Sequence, residues 1–161
     1  MGDVTDYDIR DATVSDVPDL IRLVQGLAAY EKEPGSATAT PEQFREALFP
    51  AQGDPTAYAL VGVREDRVVA MAIWFRSFST WTGQAGIWLE DLFVVEAHRR
   101  SGVARELMGY LRSQTDGRIE WDVTIGNATA ERFYASLGAV ALPDVTRYRW
   151  VANDPLQPAD T

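Results

Sequence analysis

Apolar and polar positions alternate along this chain with two different periods, and each change of period marks a new element. Tyr7–Ala12 reads as a first short strand. Leu20, Leu23, Val24, Leu27 and Ala28 then recur at helical spacing, with a cap expected at Ser15 and Pro18 tolerated in the first turn. Pro34–Thr40 interrupts the pattern, and Thr40-Pro41-Glu42-Gln43 begins a second helix expected to end near Phe49. Two strands follow, Ala57–Arg64 and Val68–Phe75, joined by the tight polar turn Glu65-Asp66-Arg67. Ser77–Gly86 reads as a connection rich in Ser, Thr and Gly. A strand at Ile87–Val95 comes next, then a helix from Gly102 to about Ser113 with Val103, Ala104, Leu107, Met108 and Leu111 on its buried stripe.

Farther along, Ile119, Trp121, Val123 and Ile125 alternate with Glu120, Asp122 and Thr124, which predicts a strand with unlike faces. Asn127 caps another helix that ends near Leu137-Gly138, where glycine suits a left-handed C-terminal turn. Val145–Val151 is expected to be a closing strand. The stretch after it, Ala152–Thr161, has two prolines and polar residues and reads as a flexible tail. This order predicts an α/β protein: one domain over residues 1–151, with a mixed sheet flanked by helices.

Composition narrows the functional classes. With 161 residues, 46% of them hydrophobic and 24% charged, the chain is long enough for one ordinary hydrophobic core. It has no cysteine, so disulfide and thiolate chemistry are excluded. The longest apolar run, Val68–Phe75, is too short to span a bilayer, and Met1–Asp6 has no signal-peptide core, so a cytoplasmic protein is expected. A net charge of −9 argues against nucleic acid as the main partner and is compatible with a cationic small molecule, though its plainer reading is solubility.

Two groups of residues carry candidate chemistry. In Arg99-x-x-Gly102-x-Ala104, the glycine lets backbone amides approach a pyrophosphate at a helix N-terminus, and the small residue at 104 lets the helix pack tightly. Arg99, Arg100 and Arg105 add forked donors suited to phosphate. The second group is Asn127 followed by Phe133-Tyr134-x-x-x-Gly138-Ala139. Each also has an ordinary reading: an arginine–glycine turn before a helix, a helix cap, and a pair of core aromatics. His98 reads as a turn residue, and Trp74, Phe75, Phe78 and Trp81 as core with some pocket lining.

Taken in order over about residues 7–150, these motifs resemble the GNAT superfamily of acyl-CoA-dependent N-acyltransferases. Leu27-Ala-Ala-Tyr30-Glu31, the run Trp88-Leu89-Glu90-Asp91-Leu92-Phe93-Val94 and the preceding Trp81 are similar to the diamine acetyltransferase group, whose members act on spermidine, spermine or thialysine. The resemblance implies a largely antiparallel central sheet whose middle strands splay apart, with acetyl-CoA as co-substrate and no metal. It implies that the backbone of Leu92, Phe93 and Val94 holds the thioester and pantetheine, and that Arg99, Arg100, Ser101, Gly102, Val103, Ala104 and Arg105 grip the pyrophosphate. Asn127, Ala128, Thr129 and Ala130 would line the same groove.

Glu90 is the implied base, since an alkylammonium must lose a proton before it attacks, and Tyr134 is the implied acid for the departing thiolate. Transfer would be direct, in a ternary complex. Tyr30, Glu31, Trp81, Glu90, Asp91, Glu120, Trp121, Asp122 and Asp144 are the implied contacts to a small cationic amine (a diamine, a polyamine or a lysine-like amino acid). Three departures separate the chain from the polyamine enzymes: no acidic residue two positions before Trp81, Gly126 in place of a tryptophan, and Asp122 in place of an apolar residue. A homodimer is implied by resemblance alone. The alternatives are a non-catalytic acyl-CoA-binding module and an acetyltransferase acting on peptides or proteins.

Overall fold

The period-two segments form a five-stranded sheet: β1 (Asp8–Asp11), β2 (Tyr58–Arg64), β3 (Arg67–Ser79), β4 (Gln84–Val94) and β5 (Ile119–Glu120), neighbours in that order. The computed structural model describes residues 6–157; the first five residues and the last four, on which part of the reading of the acidic start and the tail falls, lie outside the described residues. Two compact units are present, one through Asp122 and one from Val123 onward. In the first, β1 to β4 pair antiparallel and β5 pairs parallel with β4. A parallel neighbour needs a crossover, and the helix α3 (Val103–Ser113) provides it.

Glu65 and Asp66 make the two-residue turn between β2 and β3 with φ of 50° and 59°, the left-handed pair that matches strand twist. The next turn differs from the sequence expectation. Most of the Ser/Thr/Gly-rich stretch read as a connection is strand, because cross-strand pairing continues through Ser77↔Gly86, Phe78↔Ala85 and Ser79↔Gln84. Ser79 is buried and closes the turn, its carbonyl accepting from the Gly83 amide at 2.8 Å and its Oγ from the Thr82 amide at 3.3 Å. Backbone pairing overrides weak side-chain propensity here.

Helices cover both faces of this sheet. Leu20 and Leu23 of α1 (Val17–Tyr30) and Leu48 of α2 (Pro41–Leu48) pack with Val61, Met71 and Ile73 on one face. On the other, Gly62 leaves room for Val103 of α3, whose Cγ2 lies 2.8 Å from where a Cβ would stand. Thr40 caps α2 as expected, in a reciprocal box with Gln43 at 2.9 and 3.3 Å. Ser15 does not cap α1. A 3₁₀ turn at Val14–Asp16 comes first, and the Asp16 carboxylate accepts from the Thr13 amide at 2.7 Å and from both Arg10 guanidinium nitrogens at 2.7 and 3.0 Å. A charged acceptor makes the stronger bonds, and the Ser15 hydroxyl is left to meet that of Thr13.

Two expected strands are shortened or missing. The alternation over 119–125 yields only Ile119–Glu120, paired as Ile87↔Ile119 and Trp88↔Glu120. Val145–Val151 forms no strand, and Val145, Tyr148 and Trp150 are exposed. Alternation makes a strand possible, but a strand forms only where a neighbouring backbone accepts its hydrogen bonds. The second unit holds α4 (Ala128–Ser136), capped by the Asn127 side chain accepting from the Ala130 amide at 3.1 Å, and Gly138 follows it with φ of 86°. Residues 152–157 carry no helix or strand.

β5 meets β4 through two glycines. A Cβ on Gly117 would collide with the Ala85 carbonyl oxygen, and one on Gly86 with that of Arg118. Both obstacles are backbone and cannot swing aside. Gly117→Ala is therefore expected to destabilise the protein by about 2–3 kcal/mol, an overpacking cost, read as a lower urea midpoint with unchanged slope.

Candidate active site

Register within β4 decides which side chains gather. Asp91 pairs with Ile73 and Leu89 with Trp74, so Glu90 is an extra residue with no partner opposite it, a β-bulge. Trp88 pairs with Phe75, which lies on the same face of β3 as Ile73. The bulge therefore turns Trp88, Glu90 and Asp91 toward the face covered by α1, and places two adjacent carboxylates on one side of a strand. The Trp88 indole Nε1 donates to Glu90 Oε2 at 3.0 Å.

Glu90 is exposed and Asp91 half-buried. Burial first, then the charges of Glu90 and of Glu31 just past the end of α1, push the Asp91 carboxyl up to about 6. Glu120, paired in register with Trp88, stands on the same face and holds the Arg118 guanidinium at 2.6 Å. Glu31, Glu90 and Asp91 thus lie close enough to act on one another, an acidic group suited to a cation, while Glu120 on the same face is paired with Arg118.

Beyond Trp88 no strand among the described residues pairs with β4 on its β5 side, so Leu89–Val94 has an open edge that leads to the arginine–glycine turn. In that turn Arg100 and Gly102 have φ of 60° and 92°, and Gly102 caps α3. The Glu106 amide donates to the Gly102 carbonyl at 3.1 Å, and the amides of Val103 and Ala104 lie in the first turn of α3, where no i−4 carbonyl of the helix stands behind them. Left-handed residues next to such amides make a concave, anion-accepting backbone. The Ser101 hydroxyl braces the turn through the His98 carbonyl at 2.6 Å, and Tyr7 holds His98 Nδ1 at 2.9 Å.

Arg99 lies elsewhere than its neighbours. Its Nε donates to the Val94 carbonyl at 3.2 Å, and its guanidinium sits 4.8 Å from the Tyr30 ring centre and 5.7 Å from that of Phe93. Arg99, Tyr30 and Phe93, with Arg22, Gly26 and Glu96, line a cavity of about 550 Å³. The family profile described as the acetyltransferase (GNAT) family matches residues 23–139, from α1 through this turn to the end of α4. The chain belongs to the GNAT acetyltransferase family. It is 27% identical over 140 residues to a thialysine N-epsilon-acetyltransferase of Caenorhabditis elegans, covering 84% of each chain. It is also 27% identical to the human spermidine/spermine N(1)-acetyltransferase-like protein 1, with 84% of this chain aligned but only 21% of that longer protein spanned. A possible acetyltransferase from Clostridium difficile 630 has the same fold, with a TM-score of 0.77 at 20% identity, 92% of this chain and 99% of that one being covered.

The remaining candidates on this GNAT chain are distributed unevenly. Trp81 sits at the β3–β4 turn, 96% exposed. The half-buried Trp121 and exposed Asp122 follow β5. Asn127, Ala128, Thr129, Ala130, Tyr134 and Asp144 belong to the second unit. There Tyr134 is half-buried, its ring 5.2 Å from that of Phe133, and burial pushes its phenol up to about 12. Among the described residues no three His, Asp or Glu side chains gather in a way that could hold a metal ion.

Sequence reasoning missed Gly26. A Cβ there would stand 2.9 Å from the Phe93 ring, so glycine lets Phe93 press against α1 and form the cavity floor. Its signal was available: a glycine inside a helical pattern costs about 1 kcal/mol and usually has a packing reason.

Proposed function

We propose that this protein transfers an acetyl group from acetyl-CoA to a primary amine of a small cationic substrate, by direct attack in a ternary complex. The observation that carries this reading is the bulge that turns Glu90 and Asp91 onto one acidic face, immediately before an open strand edge and an amide-lined turn. The open edge of Leu92, Phe93 and Val94 suits the amide-bearing pantetheine arm, and the backbone near Leu92 the thioester oxygen. The Arg100–Arg105 turn suits the pyrophosphate. Carboxylates at the bulge, with Glu90 as the sequence's candidate, take the proton from nitrogen, and Tyr134 supplies one to sulfur. A phenol held near 12 is protonated throughout the physiological range, which supports that role.

The substrate class rests on charge. Glu31, Glu90, Asp91 and Glu120 would attract an ammonium and repel an anionic acceptor. The C. elegans relative carries the name of a thialysine acetyltransferase, and a lysine-like amine fits the same description. A panel of diamines, polyamines, basic amino acids and short peptides, with CoA thiol release as the readout, tests the reading. The expected outcome is activity on small amines. No release with any of them would overturn it.

We also propose a cytoplasmic homodimer. Ile125, Val140, Leu142, Tyr148 and Trp150 are large apolar residues left exposed, which supports a partner surface. Sedimentation is expected to give twice the chain mass; a monomer would end this part of the reading.

A further inference from the structure

We propose that Asp91, rather than Glu90, is the side chain that accepts the proton from the attacking amine nitrogen, and that Glu90 draws in the cation and passes the proton on to solvent. This deepens the acetyltransferase reading above and rests on it.

In regular alternation only one of two adjacent strand residues faces α1; the unpaired Glu90 puts both there, so they differ in surroundings and not in face. Glu90 is exposed, and one of its oxygens is occupied by the Trp88 indole at 3.0 Å. Asp91 is half-buried, its opposite neighbour is the apolar Ile73, and it directly precedes the Leu92–Val94 backbone proposed to hold the thioester. Of the two, Asp91 is next to the proposed reacting centre and Glu90 is at the entrance.

Asp91 meets groups from three elements. Beyond α1 stands Glu31, β4 contributes Glu90 and β3 contributes Ile73 opposite Asp91, while Glu120 of β5, paired with Arg118, lies in register with Trp88. Two guanidiniums line the cavity: Arg99 is engaged by the Val94 carbonyl and the rings of Tyr30 and Phe93, and Arg22 by Asp19 and the Val68 carbonyl. Partial burial, and then the charges of Glu90 and Glu31, raise the Asp91 carboxyl to about 6, so it is ionised at neutral pH yet more basic than an ordinary carboxylate. A base whose pKa approaches the working pH is the more effective acceptor.

The proton count closes. An ammonium acceptor loses two protons in becoming an amide: one is released to solvent and the other matches the proton gained by sulfur. The first proton leaves the ammonium through the Asp91 carboxylate and past Glu90 to solvent, which frees the nitrogen lone pair; as the N–C bond forms and the C–S bond breaks, the second nitrogen proton passes to the same carboxylate. The electron pair of the broken bond leaves on sulfur, which is protonated by Tyr134. Asp91 then discharges past Glu90 to water, and Tyr134 recovers its proton.

The test compares wild type, Asp91→Asn and Glu90→Gln in kcat/KM against pH, with carbon-13 titration of the Asp91 carboxyl in the protein without acceptor. Wild type is expected to lose activity below about pH 6, as Asp91 protonates, and its carboxyl to titrate at the same place. Asp91→Asn is expected to fall at least about 100-fold at neutral pH and to lose that acidic limb. Glu90→Gln is expected to act mainly by raising KM and to keep the limb. Asp91→Glu, which restores a carboxylate, is expected to recover the limb with part of the rate, which separates a chemical loss from misfolding. An active wild type whose limb survives Asp91→Asn, or disappears with Glu90→Gln, would overturn this role alone. A carboxyl that titrates near 4 would do the same. A wild type that releases no CoA with any amine would overturn the acetyltransferase reading, and this role with it.

Discussion

Replacing Tyr134 by Phe is expected to lower kcat roughly 100-fold while leaving acetyl-CoA affinity within about twofold of wild type. The substitution keeps the ring that meets Phe133 and removes only the hydroxyl, so packing in α4 is preserved. A departing thiolate needs a proton at the moment the C–S bond breaks, and general-acid assistance has about that magnitude. Burial of the phenol raises it to about 12, and the sign of this shift matters. A raised value keeps an acid protonated as pH rises, so Tyr134 contributes no alkaline fall in rate at any pH below about 11. Steady-state rates from pH 6 to 11, beside calorimetric titration of acetyl-CoA, check both parts. A Phe variant with wild-type kcat would remove the acid role, and equal losses of kcat and CoA binding would mark a structural one.

Asp16→Ala is expected to cost about 3 kcal/mol, enough to lower the melting temperature by roughly 6–12 °C. Asp16 is 6% exposed and accepts from the Thr13 amide and from two nitrogens of Arg10, joining β1 to the start of α1. Alanine leaves a backbone donor at the helix entrance without its acceptor. Arg10 itself is 37% exposed, so water compensates much of its loss, and most of the cost falls on the amide and the cap.

The pH dependence follows from the same contacts. The Arg10 hydrogen bond, against opposing desolvation and with help from Thr13, holds the Asp16 carboxyl below its ordinary range. Its stabilisation is complete above the unfolded value of about 3.9 and is lost as pH falls through the lower folded value. Urea unfolding at neutral pH should therefore separate wild type from Asp16→Ala clearly. The gap should narrow in strong acid, and a constant gap would show that the carboxylate charge contributes nothing.

Much of this was legible along the chain. Helical spacing of Leu20, Leu23 and Leu27 located α1, Thr40 and Asn127 were recognisable caps, and the Glu65-Asp66 turn was a hairpin signal. Arg99-x-x-Gly102-x-Ala104 announced the turn before α3, and with Phe133-Tyr134 it pointed to the family. These are local properties: a cap, a turn or an amphipathic helix depends on residues within a few positions of one another. The sequence by itself therefore determined the helices, the central hairpin and the acetyl-CoA expectation.

Only the tertiary structure decided which carboxylate stands where. Nothing in Trp88-Leu-Glu-Asp-Leu-Phe-Val94 marks Glu90 as the unpaired residue, because a bulge exists only relative to the strand opposite. The same dependence ended β5 at Glu120 and left Val145–Val151 without a strand despite suitable alternation. It also set Arg99 on Tyr30 and Phe93, 69 and 6 positions away in sequence. Strand pairing, partial burial and side-chain proximity are relations between distant parts of the chain. For that reason the environment of Asp91, on which the proposed proton transfer depends, came from the fold and not from the pattern.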